Sequence, residues 1–481
     1  MSKQDALNEN LERGLEERHI QLIALGGAIG VGLFLGSATA IQTAGPAILL
    51  IYTIAGLAMF IIMRALGELA TSYPVSGSFS AYANEFIGPM AGYLTGWTYW
   101  FMWVVTCMAE ITAVGVYVKF WIPTMPQWIP ALAALVIMTC VNLIAVKAYG
   151  EFEFWFALIK VVTIIIMIGL GVLMIVFGLG NGGKPIGISN LWSHGGFFPK
   201  GVWGPMLSVV MVMFAYLGTE LIGVTAGEAK NPEKTIPSAI NKVFWRILVF
   251  YVGALFVIMS LYPWNSLGTI GSPFVLTFSK LGISAAAGII NFVVLTAALS
   301  SCNSGIFSTG RMLYNLSLQG TAPKIFGKLG KTHVPTAGIV ISAFFLLIGV
   351  VLNYLVPGKV FTYVTSVATF GAIWVWGIIL VAQMKFRKRL TSEEVKKLHF
   401  PMFGYPYLNW TTLAFLAFVV VMMFFNKDTL IALVVAPIWF ALLIGCYYIF
   451  GLNKKKVVSE QLNTGKPGFK GSDSDGEILG K

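Results

Sequence analysis

Two glycine-rich interruptions in otherwise apolar stretches are where this sequence could do chemistry. The first contains Gly26, Gly27, Gly30, Gly32 and Gly36. A glycine inside a helix costs about 1 kcal/mol relative to alanine, so a run this dense predicts a helix that breaks near its middle. At membrane depth, backbone N–H and C=O groups freed by such a break survive only where they line a cavity or meet a ligand. The half-helix that begins near Gly32 would turn its positive end toward a carboxylate. Carbonyls ahead of the break, such as that of Ala28, could take an ammonium group. Together these suit a zwitterion such as an amino acid. Close helix packing through small residues would use the same glycines without any ligand.

The second interruption follows Phe214 and runs Ala215-Tyr216-Leu217-Gly218-Thr219-Glu220, with Gly223 and Gly227 beyond it. A break at Leu217-Gly218 would offer the carbonyls of Phe214 and Leu217 to an ammonium group. The Phe214 ring could cover a bound substrate as a lid, or simply pack. Paired glycine-interrupted segments at matching places in two halves are the best sequence pointer to a transporter's binding site.

Three charges fall within apolar stretches: Glu110, Lys160 and Glu220. A charge in hydrocarbon costs at least about 2.5 kcal/mol on insertion scales, so each is a functional candidate. Lys160 lies six residues beyond Phe154, where its stretch begins. There its stem could snorkel to the interface, or it could sit inside and carry a proton. Glu110 could pair with a neighbour or bias a pocket toward cationic groups. Glu220 reads as structural, with pocket or gating the alternative. Glu68, Glu228 and Arg64 fall near stretch ends, as gate or headgroup contacts. The histidines His19, His194, His333 and His399 all lie outside the apolar stretches. No metal-binding, Walker-type or nucleophile-elbow motif is present, which argues against an enzyme and against a resident metal or cofactor.

The elements that must position these residues follow from composition. Of 481 residues, 57% are hydrophobic and 11% charged, with mean hydropathy +0.80. Soluble domains carry about 25% charged residues, so the excess apolar surface must meet lipid. Stretches of about 20 apolar residues can cross the hydrocarbon core. They appear at 20–41, 45–67, 91–119, 128–147, 154–178, 204–226, 243–262, 279–303, 335–355, 360–384, 407–426 and 429–451, here numbered spans 1 to 12. The two interruptions are in spans 1 and 6. Five spans separate them, and an odd number of crossings inverts the second copy. The expected organisation is a cytoplasmic N-terminus (1–19), a first repeat (20–178), a second (204–384), two further spans (407–451) and a disordered cytoplasmic tail (452–481).

Lys and Arg concentrate in the termini and the loops that share their side, for example Arg18, Arg311, Lys324 and the run Lys385, Arg387, Lys388, Arg389. That bias puts both termini in the cytoplasm. It directs the net charge of +12 toward anionic lipid headgroups rather than nucleic acid. The polar first nineteen residues carry no signal-peptide pattern. Cys107, Cys140, Cys302 and Cys446 lie in or beside apolar segments and read as small packing residues. The short loops leave no room for a soluble output domain, and no obligatory protein partner is evident.

From Leu15 to Gly451 the chain resembles the bacterial amino acid permeases of the amino acid–polyamine–organocation (APC) superfamily. The resemblance rests on Arg18-His19-Ile20-Gln21-Leu22 running into Gly26-Gly27-Ala28-Ile29-Gly30, and on Met63-Arg64-Ala65-Leu66-Gly67-Glu68. It continues through Gly150-Glu151-Phe152-Glu153-Phe154-Trp155, Gly227-Glu228-Ala229-Lys230-Asn231-Pro232 and Asn303-Ser304-Gly305. It implies an all-α integral membrane fold of about twelve helices. Ten form a five-plus-five inverted repeat with discontinuous helices 1 and 6, and two more follow. It further implies proton-coupled amino acid uptake into a bacterial cell across the cytoplasmic membrane, with the proton gradient as energy source. By motif position, Gly30, Val31 and Gly32 would hold the carboxylate through N–H groups, and Ala28, Phe214 and Leu217 would offer carbonyls to the amine. Lys160 matches a lysine that, in some proton-coupled members, fills the space sodium occupies in sodium-driven relatives. Ser300 and Ser301 lie near the hydroxyl ligands of that sodium. Trp97-Thr98-Tyr99-Trp100 and Ser304-Gly305-Ile306-Phe307 look most like D-serine/D-alanine/glycine permeases, so the expected substrates are alanine, serine and glycine, with their D-enantiomers. An exchanger, or a permease for proline, GABA or aromatic amino acids, shares much of the pattern.

Overall fold

The computed structural model describes residues 29–73, 75, 78–144, 146–225, 232–267, 272–275, 286–330 and 334–453. Among them there is no strand. Nine helices are long and apolar enough to cross a membrane, and the shorter apolar helices Trp128–Ile144 and Trp203–Phe214 join them. Span 1 appears as Val31–Phe34 and Gly36–Ala44, and span 2 as Ile48–Ser72. Spans 3, 4 and 5 are Pro89–Val118, Trp128–Ile144 and Val146–Phe177. Span 6 is Trp203–Phe214 followed by Leu221–Thr225. Spans 8 to 12 are Ala286–Leu318, Thr336–Leu355, Val360–Arg389, Tyr407–Phe424 and Leu430–Ile449. Span 7 runs Pro232–Arg246, then a π-helical stretch Ile247–Gly253, then Ala254–Leu261.

The layers follow from which helices hide their faces. In spans 3 and 8, 83% and 78% of the apolar window is buried, against 33% and 22% in spans 11 and 12. Spans 3 and 8 are therefore the centre, and the last two spans flank the repeat. Span 3 packs along spans 8 and 10, the Gly36–Ala44 part of span 1 along the first half of span 6, span 4 along span 9, and span 5 along spans 7 and 8. Spans 3 and 8, and spans 4 and 9, stand five apart in sequence, as a five-plus-five repeat requires.

Two boundaries differ from the sequence expectation in ways that matter. Span 5 starts at Val146, eight residues before the expected Phe154. Its first turns include Lys147, Glu151 and Glu153, which dilute the hydropathy although the helix continues through them. Lys160 is therefore fourteen residues into the helix, about 21 Å along it at 1.5 Å per residue, too deep to snorkel to that end. Span 8 continues to Leu318, well past the expected 303. The polar residues Ser304, Ser308, Thr309 and Arg311 in the extension face protein, where hydrocarbon compatibility is not required.

Candidate functional site

Span 6 is interrupted between two helices, span 1 is non-helical at Gly30 where its described helix begins, and the two places face each other. At Gly30 the backbone is extended (φ −120°, ψ −159°), and helix begins at Val31. The N–H groups of a helix's first turn have no intrahelical acceptor, and here the Val31 N–H is given to the Glu110 carboxylate. The Gly30 carbonyl is engaged by Leu33 and Phe34 N–H at 3.2 and 3.3 Å. In span 6, helix ends at Phe214, and residues 215–220 form successive turns before Leu221. Gly218 adopts φ +91°, a region that favours glycine. A Cβ on Gly32 would lie 2.6 Å from Ala215 Cα and 3.0 Å from Ala215 N, so the two broken backbones touch.

The span 6 break is held from behind. Tyr251, in the π-helical stretch of span 7, donates its hydroxyl to the Ala215 carbonyl at 3.0 Å. Tyr216 donates to the Tyr52 carbonyl of span 2 at 2.6 Å and stacks on Tyr251. Arg246 donates to Thr219 Oγ1 at 3.1 Å. Glu220 accepts the Gly218 N–H on both carboxylate oxygens, at 3.2 and 3.1 Å. This buried carboxylate thus braces the turn. The Phe214 carbonyl accepts the Leu217 N–H at 3.1 Å, so one of its lone pairs is already used within the turn.

A cavity lies between the breaks. Gly30 and Gly32 of span 1, Phe214, Ala215 and Leu217 of span 6, Trp103, Thr106 and Glu110 of span 3, and Ser301 of span 8 line it. Of the expected substrate residues, Gly30, Gly32, Phe214 and Leu217 line this one space, and Val31 adjoins it. Ala28 lies outside the described residues, as do Gly26, Gly27, Gly227, Glu228, His19 and His333. Glu110 is fully buried beside the Val31 N–H and accepts Ser301 Oγ at 2.6 Å. A Cβ on Gly30 would meet Glu110 Oε1 at 2.8 Å and Ser301 Oγ at 3.0 Å, so this carboxylate reaches the break itself.

Lys160 is wholly buried, which settles the sequence alternative against snorkelling. Its ammonium donates to the Ile29 carbonyl at 3.2 Å, one residue before Gly30, and to Ser300 Oγ at 3.0 Å. Ser300 donates in turn to Glu153 Oε1 at 2.7 Å. Neighbouring residues of a helix point about 100° apart, so the adjacent Ser300 and Ser301 serve carboxylates on different spans, Glu153 on span 5 and Glu110 on span 3.

Sequence reasoning missed Glu153, Trp103 and Thr106. Glu153 had a signal: it precedes Lys160 by seven residues, two helical turns on the same face. Placing the start of span 5 at 154 put it outside the membrane. Glu68, expected at a gate or headgroup, is wholly buried. It accepts Arg387 Nε at 2.6 Å and Nη2 at 2.7 Å, and Gln383 Nε2 at 2.8 Å. Arg64 lies 3.6 Å over the Phe400 ring. These contacts fasten span 2 to span 10 and to the loop before span 11.

The sequence pattern of the amino acid permease family matches residues 19–460. The chain is 64% identical over 451 residues to an uncharacterized amino acid permease, YtnA, of Bacillus subtilis, covering 94% of this chain and 97% of the relative. It is 54% identical over 448 residues to the probable threonine/serine transporter YbxG of the same organism, covering 93% and 97%. It is 46% identical over 450 residues to the aromatic amino acid transport protein AroP of Escherichia coli, covering 94% and 98%. With its broken spans facing each other across one cavity, this multi-pass chain belongs to the amino acid permease family of the APC superfamily and is an amino acid transporter of the cell membrane rather than an enzyme.

Proposed function

We propose that the protein imports small neutral amino acids, among them alanine, serine, glycine and their D-enantiomers, together with protons, by alternating access. The substrate carboxylate sits on the Val31 and Gly32 N–H groups beside Gly30. Its ammonium takes carbonyls from Ala28, Phe214 and Leu217. Phe214 closes over it, and Glu110 with Ser301 borders it. Lys160 carries the coupled proton, and both termini face the cytoplasm, in keeping with the Lys and Arg bias. The energy source is the proton gradient, with no further cofactor or protein subunit.

The observation that carries this reading is the wholly buried Lys160 bridging the break carbonyl of Ile29 and Ser300 Oγ. Gain or loss of a proton there changes a hydrogen bond at the substrate's own backbone support, which ties the two events together. The tight glycine contacts and the Trp103 and Phe214 walls favour a small side chain. The name of the threonine/serine relative agrees with a small polar substrate.

Purified protein in liposomes free of internal amino acid, given an inward proton gradient, should accumulate labelled alanine above equilibrium and lose it with a protonophore. Uptake that ignores the gradient and requires internal amino acid makes the protein an exchanger. Unlabelled serine and glycine should compete. Competition by phenylalanine, proline or GABA in their place would move the substrate assignment to those classes.

A further inference from the structure

The mechanism above makes no use of Glu153. Glu153 is wholly buried on span 5, two turns from Lys160 and on the cytoplasmic side of it in the orientation proposed. The hydrogen bonds run in one direction: Lys160 Nζ donates to Ser300 Oγ at 3.0 Å, and Ser300 Oγ donates to Glu153 Oε1 at 2.7 Å. Beyond Ser300, span 8 carries Asn303, Ser304, Ser308 and Arg311, all buried, at the i+3, i+4, i+8 and i+11 positions that share one helical face. Asn303 and Ser304 adjoin Glu153. Asn303 Oδ1 also accepts Asn142 Nδ2 of span 4 at 2.7 Å, which fixes its orientation. An apolar helix in the centre of the bundle thus keeps a seam of buried polar residues leading away from Lys160 toward its C-terminal end.

We propose that Glu153 receives the proton that Lys160 releases, through the Ser300 hydroxyl, and delivers it along this seam to the cytoplasmic side. The inference rests on the proton-symport reading and adds the acceptor. In the step, an N–H bond of the Lys160 ammonium breaks as an O–H bond forms at Ser300 Oγ. The original Ser300 O–H breaks as one forms at Glu153 Oε1. An ammonium and a carboxylate become an amine and a carboxylic acid, with no net change of charge and no co-reactant. A neutral pair avoids the desolvation cost that a buried ion pair carries, which favours the transfer in this wholly buried setting. The other ionisable groups acting on Lys160 are Glu110 of span 3 and Arg246 of span 7. Glu110 is bonded to the other serine, Ser301, which separates the substrate side of Lys160 from the exit side.

The test is Glu153→Gln in proteoliposomes, since glutamine keeps an acceptor for Ser300 but cannot take the proton. Gradient-driven accumulation should fall at least tenfold, while counterflow exchange stays within about threefold of wild type. Ser300→Ala, which removes the relay hydroxyl and neither charge, should show the same split. Wild-type accumulation in either variant overturns the relay. Equal loss of accumulation and exchange in both, in protein that remains monodisperse, shows a structural role and overturns it too. Absence of gradient-driven uptake in the wild type refutes the symport reading and the relay with it.

Discussion

Gly32→Ala tests whether the two breaks form the carboxylate site. The new Cβ would lie 2.6 Å from Ala215 Cα and 3.0 Å from Ala215 N. Both are backbone atoms, which cannot rotate away as a flexible side chain can. Ordinary contact begins at about 3.4 Å, so spans 1 and 6 must separate by about 0.8 Å at the point where they touch. A substrate bridging the two spans then loses one of its hydrogen bonds, since a contact at about 2.9 Å lengthened by that amount passes 3.5 Å, outside bonding range. Losing one such charge-assisted bond costs about 1.5–3 kcal/mol, which is a rise in KM of roughly 10- to 150-fold. Overpacking should also lower stability by about 1–3 kcal/mol. Gly169→Ala is the matched control, because nothing lies within 4 Å of its Cβ position. Concentration-dependent uptake by both variants, normalised to reconstituted protein, gives the comparison. An unchanged KM in Gly32→Ala would mean that the substrate does not use this break.

Other perturbations probe other parts of the molecule. Lys160→Ala should abolish gradient-driven uptake while amino acid binding persists, as read by ligand-induced thermal stabilisation; normal driven uptake would remove Lys160 from coupling. Gly218→Ala places a Cβ at φ +91°, costing about 1–2 kcal/mol, and should lower both melting temperature and transport; a silent substitution would contradict the bracing of that turn by Glu220. Arg387→Ala strands the buried Glu68 carboxylate and should destabilise the protein by about 3–5 kcal/mol, with Glu68→Gln in the same chain recovering part of the loss. Trp103→Ala should widen the cavity and let larger amino acids compete with alanine, and an unchanged competition profile would mean that Trp103 does not limit side-chain size.

Most of the fold is legible in composition, because lipid imposes one rule on every span: all backbone groups are satisfied internally and the outer faces are apolar. The paired glycine breaks are legible for the same reason, since helices in lipid tolerate interruption only with cause. The interior is harder to read. Span 8 looks finished near 303 because its buried side turns polar, and hydropathy cannot tell a protein-facing serine from a water-facing one. The same blindness hid Glu153, whose membership of span 5 depends on a helix start masked by Lys147 and Glu151. Trp103 and Thr106 gave no signal, because a tryptophan or threonine in an apolar helix looks the same whether it lines a cavity or packs. The Glu68–Arg387 pair joins residues more than three hundred positions apart, a contact that no local pattern encodes.

The most direct test of proton coupling at this site uses no imposed pH gradient. Liposomes containing the wild-type protein and a trapped pH dye, with membrane potential clamped, receive external serine or alanine. The lumen should acidify in step with amino acid entry, and Lys160→Ala should abolish the signal. Entry of labelled amino acid with no change in luminal pH would contradict coupling and leave the broken spans as the site of a uniporter or exchanger.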